Sequence, residues 1–299
     1  MSKIGFIGLG IMGNPMAKHL INSGFDLLVN DVDSEAVQRV VDAGATAASP
    51  KEIGEKCENV FLILPNGSIV QDVLFGPEGV MSGEAVFSSL VIDMSSVTAK
   101  ESQTCYEQLK ECGIGFLDAP VSGGEPGAIE ATLAFMVGGN KVDYEKALTF
   151  FDVMGNSSVL VGGSGAGSVT KLCNQVIVNL NIAAVAEALT LATKAGIDPE
   201  LVYQAIRGGL AGSTVLDNKA PMMINRDFKP GGKISINHKD IKNVMQTAQD
   251  LDVPLLFTST LFEVFQTLKV RGCMDDDHSA IAKVIESLAG VEISKKAEE

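Results

Sequence analysis

The chain has 299 residues, of which 46% are hydrophobic. That is enough to bury sizeable cores, and usual domain sizes predict two domains rather than one. Lys and Arg number 23 against 37 Asp and Glu, and the resulting net charge of −14 argues against nucleic acid or an anionic membrane as partner. A small anionic substrate would need a local positive site. The five cysteines (Cys57, Cys105, Cys112, Cys173 and Cys273) show no CxxC pairing, and only His19, His238 and His278 could join them as soft ligands. Reduced thiols, a cytoplasmic location and no structural metal are expected.

The N-terminal segment superficially resembles a secretion signal, with Lys3 followed by an uncharged stretch from residue 4 to 17. Gly8, Gly10, Gly13 and Pro15 interrupt the continuous apolar helix such a signal needs. Up to about residue 163, short β-branched runs alternate with helix-like segments: KIGFIG, DLLVND, NVFLILP, SLVIDMS, IGFLDAPV, LAFMVGG and SVLVGG. Runs that are apolar throughout are typical of strands covered on both faces, so the fold class is α/β with a parallel, doubly wound Rossmann sheet. Between the second and third runs, Asp33 and Ser34 open a helix that Gly44 can stop.

Beyond Gly167 the period changes. Residues 168–195 contain neither proline nor glycine and carry charge only at Lys171, Glu187 and Lys194, which predicts one helix of about 28 residues and about 42 Å. A helix apolar nearly all round is expected to be buried, between domains or against another subunit. Its uncharged core, residues 172–186, is too short and too rich in Asn for a membrane span. From Pro199 onward, PELVYQAIRGG, HKDIKNVMQTAQDL, PLLFTSTLFEVFQTLKVRG and SAIAKVIESLAG have helical periodicity, and SKKAEE reads as a frayed tail. The expected organisation is a dinucleotide-binding domain over residues 1–163, an interdomain helix over 164–195 and an all-helical domain over 196–299.

The stretch FIGLGIMG places Gly8, Gly10 and Gly13 at GxGxxG spacing. Alone this match is weak, but it closes a strand, opens a helix near Met12, and precedes a second strand ending in Asn30 and Asp31. In that context the glycines, with Ile11 and Met12 between them, permit a tight turn and close approach of backbone to a pyrophosphate. Asp31 would accept hydrogen bonds from the adenosine ribose and repel a 2′-phosphate, and no Arg follows it, which favours NAD over NADP. Later strand ends supply further walls for such a cleft: Leu64, Pro65 and Asn66, then Ser96 after Asp93, Met94 and Ser95. Simple turn chemistry explains any one of these equally well.

In DAPVSGGEPGA, residues 118–128, Ser122, Gly123 and Gly124 follow a strand, and consecutive glycines let backbone N–H groups converge on a carboxylate or phosphate. An empty loop is the plainer alternative. Lys171 stands among apolar neighbours at the start of the long helix, with Asn174 and Gln175 on the same face. A lysine there can pass a proton to or from an oxygen that changes charge, with Asn174 orienting it. His238, Lys239 and Asp240 begin another helix, where Lys239 or Asp240 reaches the cofactor or simply faces solvent. The segment RGGLAGSTVLDNKAP, residues 207–221, reads as a long irregular loop bordering the substrate.

The segments GFIGLGIMGNPMAKHL, DAPVSGGEPGAIEATLAFMVGG, VTKLCNQVIVNLNIAAVAEALTLATKAG and QAIRGGLAGSTVLDNKAP together resemble the β-hydroxyacid dehydrogenases, the family of 3-hydroxyisobutyrate and 6-phosphogluconate dehydrogenases. The resemblance spans nearly the whole chain. It implies hydride exchange between a nicotinamide cofactor and a small hydroxy or oxo acid. It further implies Lys171 as catalytic lysine, Ser122, Gly123 and Gly124 as the substrate-carboxylate loop, and Asn174 as a substrate-binding amide. Ser96 then contacts the nicotinamide, and Lys239 reaches the cofactor. The resemblance also implies a homodimer or homotetramer. The chain departs at Val32 from a family member it resembles, which carries Arg at that position, and this counts against NADP.

Overall fold

The structure, a computed structural model, describes residues 3–83 and 87–294. The tail expected to fray, residues 294–299, lies outside them apart from Ser294. The chain divides into two compact units, Met1–Lys171 and Leu172–Glu299.

The first unit is built on nine strands: β1 (Lys3–Ile7), β2 (Leu27–Asn30), β3 (Thr46–Ala47), β4 (Cys57–Leu62), β5 (Leu90–Asp93), β6 (Gly115–Asp118), β7 (Val121–Ser122), β8 (Leu133–Gly138) and β9 (Gly155–Gly162). They order as β3-β2-β1-β4-β5-β6-β8-β7, with β9 also pairing on β8. From β3 to β6 every pairing is parallel, which places these strands' C-terminal ends along one edge. Strand β8 runs antiparallel to β6 and β7, so the sheet is parallel in its main part only.

Helices α1 (Gly13–Asn22), α2 (Ser34–Val41), α3 (Pro50–Lys56), α4 (Gly67–Phe75), α5 (Ala99–Glu111), α6 (Gly124–Ile129) and α7 (Lys141–Met154) complete this unit. Side-chain alternation explains why they lie on both faces of the sheet. Ile4, Phe6, Leu27 and Val29 pack with Met16 and Leu20 of α1 and Phe150 and Phe151 of α7. Ile7, Leu28, Val60 and Leu62 pack instead with Ile53 of α3, Leu74 of α4 and Leu109 of α5. Start signals are explicit: Ser49 with Glu52 and Thr98 with Glu101 form capping boxes at α3 and α5. Strand β9 departs from the expectation of strands covered on both faces. It is an edge strand with Val159 and Val161 exposed.

Helix α8 (Ala166–Lys194) continues into the second unit, which holds α9 (Pro199–Ile206), α10 (Thr214–Ile224), α11 (Ile234–Asp250), α12 (Leu256–Val270), a 3-10 turn (His278–Ile281) and α13 (Ala282–Ala289). Ile182, Ala186 and Leu189 of α8 share a core with Met223, Ile241, Phe265 and Ile281. This chain alone leaves one apolar face of α8 uncovered, and burial against another subunit stays an expectation. Within this chain Ile177 is 66% and Leu191 72% exposed. Composition cannot distinguish a helix enclosed on every side from one with an apolar face left open. By length and hydropathy α8 passes as a membrane span, yet it buries Gln175 and Asn179 in the unit's core as a soluble core helix does. A correction concerns residues 207–221, expected as loop. The glycines form a turn, but Ser213 accepts a hydrogen bond from the Leu216 N–H and starts α10, which includes Pro221.

Candidate active site

The glycine loop lies where β1 ends. Gly8 has φ +99°, and a Cβ there would collide with the Ile63 carbonyl oxygen, as one on Gly13 would with the Gly8 carbonyl oxygen. Gly10 differs, since a Cβ there would meet nothing within 4 Å. Two of the three glycines thus permit close packing of turn, strand and helix, and the third faces open space. Helix α1 begins at Met12 with no side-chain cap, the arrangement in which an anion can satisfy the leading N–H groups.

Beside it opens a pocket of about 600 Å³ lined by Leu9, Gly10, Ile11, Asn14, Lys18 and Asp31, with Asp33 and Arg39 on its wall. Asp31 accepts hydrogen bonds from the Leu9 N–H at 2.5 Å and the Asp33 N–H at 2.9 Å, so its carboxylate ties the strand end to the glycine loop. Asn30 donates to the Ala48 carbonyl at 2.7 Å. Val32 is fully exposed. The open approach at Gly10, the uncapped helix and the acid beside them fit a dinucleotide, with pyrophosphate at the loop and adenosine ribose at Asp31.

At the next strand ends, the Leu64 N–H donates to Ser95 Oγ at 2.8 Å, binding the exits of β4 and β5 together. Asn66 accepts from the Ile69 N–H at 3.0 Å and caps α4, which supports the turn-chemistry reading of that residue. Pro65 lies between them, and Ser96 follows Ser95 beyond the end of β5. Asp93 is 1% exposed and accepts from the Ser95 N–H at 2.9 Å. Burial pushes its carboxyl up to about 6. Burial likewise pushes the Cys57 and Cys105 thiols up to about 12, which makes them inert core groups.

The segment from Asp118 to Gly124 lies one strand further along. Gly123 has φ +138° and Gly124 φ +62°, conformations that side chains beyond Cα disfavour. They turn the backbone from Ser122 of β7 directly into α6. His19 of α1 bonds the carbonyls of Ala128 and Ile129 at 3.1 and 2.9 Å, so the glycine-loop helix also carries the end of α6. Lys171, in the second turn of α8, donates to the Val121 carbonyl at 2.8 Å. The ammonium is therefore held at the residue preceding Ser122, Gly123 and Gly124. The first unit brings together the glycine loop, Asp31, the strand ends, the 122–124 loop and Lys171.

Asn174 and Lys239 belong to the second unit. Asn174 donates to Gln175 Oε1 at 3.0 Å, while Gln175 donates to Asp240 Oδ2 at 2.6 Å. Lys239 pairs with Asp240 at 3.1 Å. A buried network thus orients the Asn174 amide and the Lys239 ammonium from one carboxylate. The sequence places Gln175 and Asp240 near these groups but does not reveal the link, because α8 and α11 are far apart in the chain. Lys18 and Arg39 were missed as pocket residues, and their only signal was position: one turn or more along the helices that follow β1 and β2.

Residues 3–163 match the family described as the NAD binding domain of 6-phosphogluconate dehydrogenase, and residues 165–285 that described as NAD-binding of NADP-dependent 3-hydroxyisobutyrate dehydrogenase. The 2-hydroxy-3-oxopropionate reductase of Escherichia coli is 40% identical over 287 residues, covering 96% of this chain and 98% of that protein. The chain belongs to the β-hydroxyacid dehydrogenase family. It is accordingly an oxidoreductase that uses a nicotinamide dinucleotide. The 2-(hydroxymethyl)glutarate dehydrogenase of Eubacterium barkeri is 35% identical, covering 98% of this chain and 97% of that protein. A solved 3-hydroxyisobutyrate dehydrogenase of Mycobacterium tuberculosis superposes with a TM-score of 0.87 at 27% identity, covering 95% of this chain and 99% of the other.

Proposed function

We propose that this family member reduces 2-hydroxy-3-oxopropanoate, tartronate semialdehyde, to glycerate, using NADH in preference to NADPH. The observation that carries the reading is the Lys171 ammonium, held 2.8 Å from the Val121 carbonyl at the edge of the 122–124 loop. In this scheme the substrate carboxylate rests on Ser122 and the N–H groups of Gly123 and Gly124. The dinucleotide, when bound, supplies the hydride that the aldehyde carbon receives. Lys171 gives a proton to the oxygen as it gains negative charge, and takes one back in the oxidative direction. Asn174, oriented by Gln175, binds the same end of the substrate, and Lys239 contacts the cofactor.

Gly8, Gly10, Ile11, Met12 and Gly13 hold the pyrophosphate, Asn30 and Asp31 the adenosine side, and Leu64, Pro65, Asn66 and Ser96 the nicotinamide side. Asp31 followed by the uncharged Val32 supports NAD over NADP, because the carboxylate repels a 2′-phosphate and the next residue carries no Arg to offset it. The protein acts in the cytoplasm as a homodimer or homotetramer, for which the open apolar face of α8 is the supporting feature. The 40% identity to the reductase supports the substrate choice. A panel of tartronate semialdehyde, 2-formylglutarate and 3-oxo-2-methylpropanoate, followed at the NADH absorbance, tests it. The largest kcat/KM is expected for the first. A higher value for either of the others reassigns the substrate within the family, and no turnover with any of the three removes the tartronate semialdehyde reading.

A further inference from the structure

Asp118 ends β6, is 1% exposed, and lies four residues before Ser122. Its two carboxylate oxygens reach across to the start of α8: Oδ1 accepts from the Gly165 N–H and Oδ2 from the Ser168 N–H, both at 2.8 Å. A helix start has unsatisfied N–H groups and a partial positive charge, so a buried carboxylate is matched to it in both hydrogen bonding and charge. Here the acid comes from a strand about 50 residues earlier, whereas caps ordinarily come from the residue preceding the helix. The contact is also sterically closed. A Cβ on Gly138 would press on Asp118 Oδ1, and one on Gly167 would collide with the carbonyl oxygens of Asp118 and Met136. Ser168 Oγ is further bonded to Ser102 Oγ of α5 at 2.8 Å.

Lys171 lies three residues beyond Ser168, one helical turn on, and its ammonium returns to the Val121 carbonyl of the same strand segment. Residues 118–122 therefore hold the lysine helix at two points: a carboxylate under the first turn and a carbonyl at the side chain's tip. We propose that Asp118 is a positioning residue, fixing the first turn of α8 so that the Lys171 ammonium stands at the edge of the 122–124 loop. The proposal rests on Lys171 being the proton donor. Asp118 touches neither substrate nor cofactor in this scheme. Its effect runs through the helix, and a displacement of the donor by about 1 Å is enough to cost on the order of 10²-fold in rate.

The test compares Asp118→Asn, Ser168→Ala and Lys171→Ala in the full-length protein. An Asn at 118 offers one acceptor where two N–H groups need one each, and turns an NH₂ toward the other. Ser168→Ala removes the bond to Ser102 but keeps the N–H that Asp118 binds. Expected for Asp118→Asn is a kcat lower by about 10- to 100-fold, with the KM for the oxo acid and the Kd for NADH within about threefold of the parent. Amide hydrogen exchange should accelerate at residues 165–171 while the rest of the sheet unit stays protected. For Ser168→Ala, kcat should stay within about threefold.

An unchanged kcat in Asp118→Asn, or a Ser168→Ala loss as large as that of Asp118→Asn, overturns the positioning role and leaves the Lys171 assignment standing. Turnover retained in Lys171→Ala overturns the assignment itself. If Asp118→Asn does not fold, Gly167→Ala, which pushes the same turn off the strand, must show the kcat loss with unchanged KM, and its failure to do so counts against the proposal.

Discussion

In the sheet unit two buried carboxylates stand at strand ends, and backbone N–H groups answer them: Ser95 for Asp93, Gly165 and Ser168 for Asp118. In the helical unit the most buried charge, Asp277, is answered by a counterion as well. Lys219 reaches it at 2.9 Å, and the N–H groups of Gly231, Gly232 and Ser279 at 2.9 to 3.1 Å complete its shell. Burial alone would raise the Asp277 carboxyl, but the surrounding positive charge and donors hold it below its ordinary range. The comparison separates two uses of buried charge. Carboxylates answered by backbone N–H groups hold loops and helix starts in register, which suits a site. The Lys219–Asp277 ion pair inside the helical core ties α10 to the 3-10 turn.

The sharpest way to break this comparison is to remove one lysine from each unit. Lys171→Ala is expected to lower kcat by about 10²–10⁴-fold, with NADH binding, followed by fluorescence titration, and thermal stability close to those of the parent. Turnover within tenfold of the parent would remove the proton-donor role. Lys219→Met should do the reverse. It leaves Asp277 buried without its cation, a loss of about 3–5 kcal/mol. Hydrogen exchange should show that loss in residues 214–289 alone, with protection in residues 3–163 unchanged.

Changing the pH sharpens the contrast further, because the two units carry buried groups of opposite sign. Burial, aided by the nearby Lys219 charge, pulls His278 down to about 4 from 6.5. The unfolded chain therefore binds a proton that the folded unit refuses, and stability is full above pH 6.5 and lost as pH falls toward 4, by about 3 kcal/mol. Asp93, raised to about 6 from 3.8, works the other way. The folded unit binds the extra proton, so stability is greatest below 3.8 and is lost as pH rises through 6, again by about 3 kcal/mol. Asp93→Asn should accordingly stabilise the sheet unit at pH 7 and have little effect at pH 4. His278→Asn should blunt the acid loss of the helical unit between pH 6.5 and 4. Variant-minus-parent stability at the two pH values, read by exchange in each unit, checks both signs.

Much of the sheet unit was legible because its signals are local. The apolar runs named from sequence are strands β1, β2, β4, β5, β6, β8 and β9, and the spacing from Gly13 to Asp31 marks the first βαβ turn before any long-range contact is known. What escaped depends on partners far away in sequence. Asp118 reads as a strand end until Gly165 and Ser168 are seen beside it, and Gln175 reads as a neighbour of Asn174 until Asp240 is seen to bind it. The two-residue strands β3 and β7 have too little pattern to announce themselves. The stretch around Ser213 was misread because its glycines and Pro221 outweighed a cap whose effect begins three residues later. Exposure of one face of α8 was hidden for a different reason: hydropathy records that a face is apolar, and says nothing of whether this chain covers it.

The smallest expected effect concerns the cofactor end of the sheet unit, where Asp31 has two tasks. Its carboxylate holds the Leu9 and Asp33 N–H groups, and in the proposed scheme it also receives the ribose hydroxyls. Asp31→Ala removes both, so binding of NADH and NADPH should weaken together through the loosened loop. The ribose task acts on NADH alone, while removal of the negative charge relieves repulsion of a 2′-phosphate. The ratio of kcat/KM for NADH over NADPH should therefore fall by about tenfold, equivalent to about 1.4 kcal/mol, on top of any common loss. Asp31→Asn keeps an acceptor for the loop and removes only the charge, so it should show the ratio change with less of the common loss. If both variants lower the two cofactors equally, Asp31 is a loop tie and nothing more, and the cofactor preference must be sought at Lys18 and Arg39 on the pocket wall.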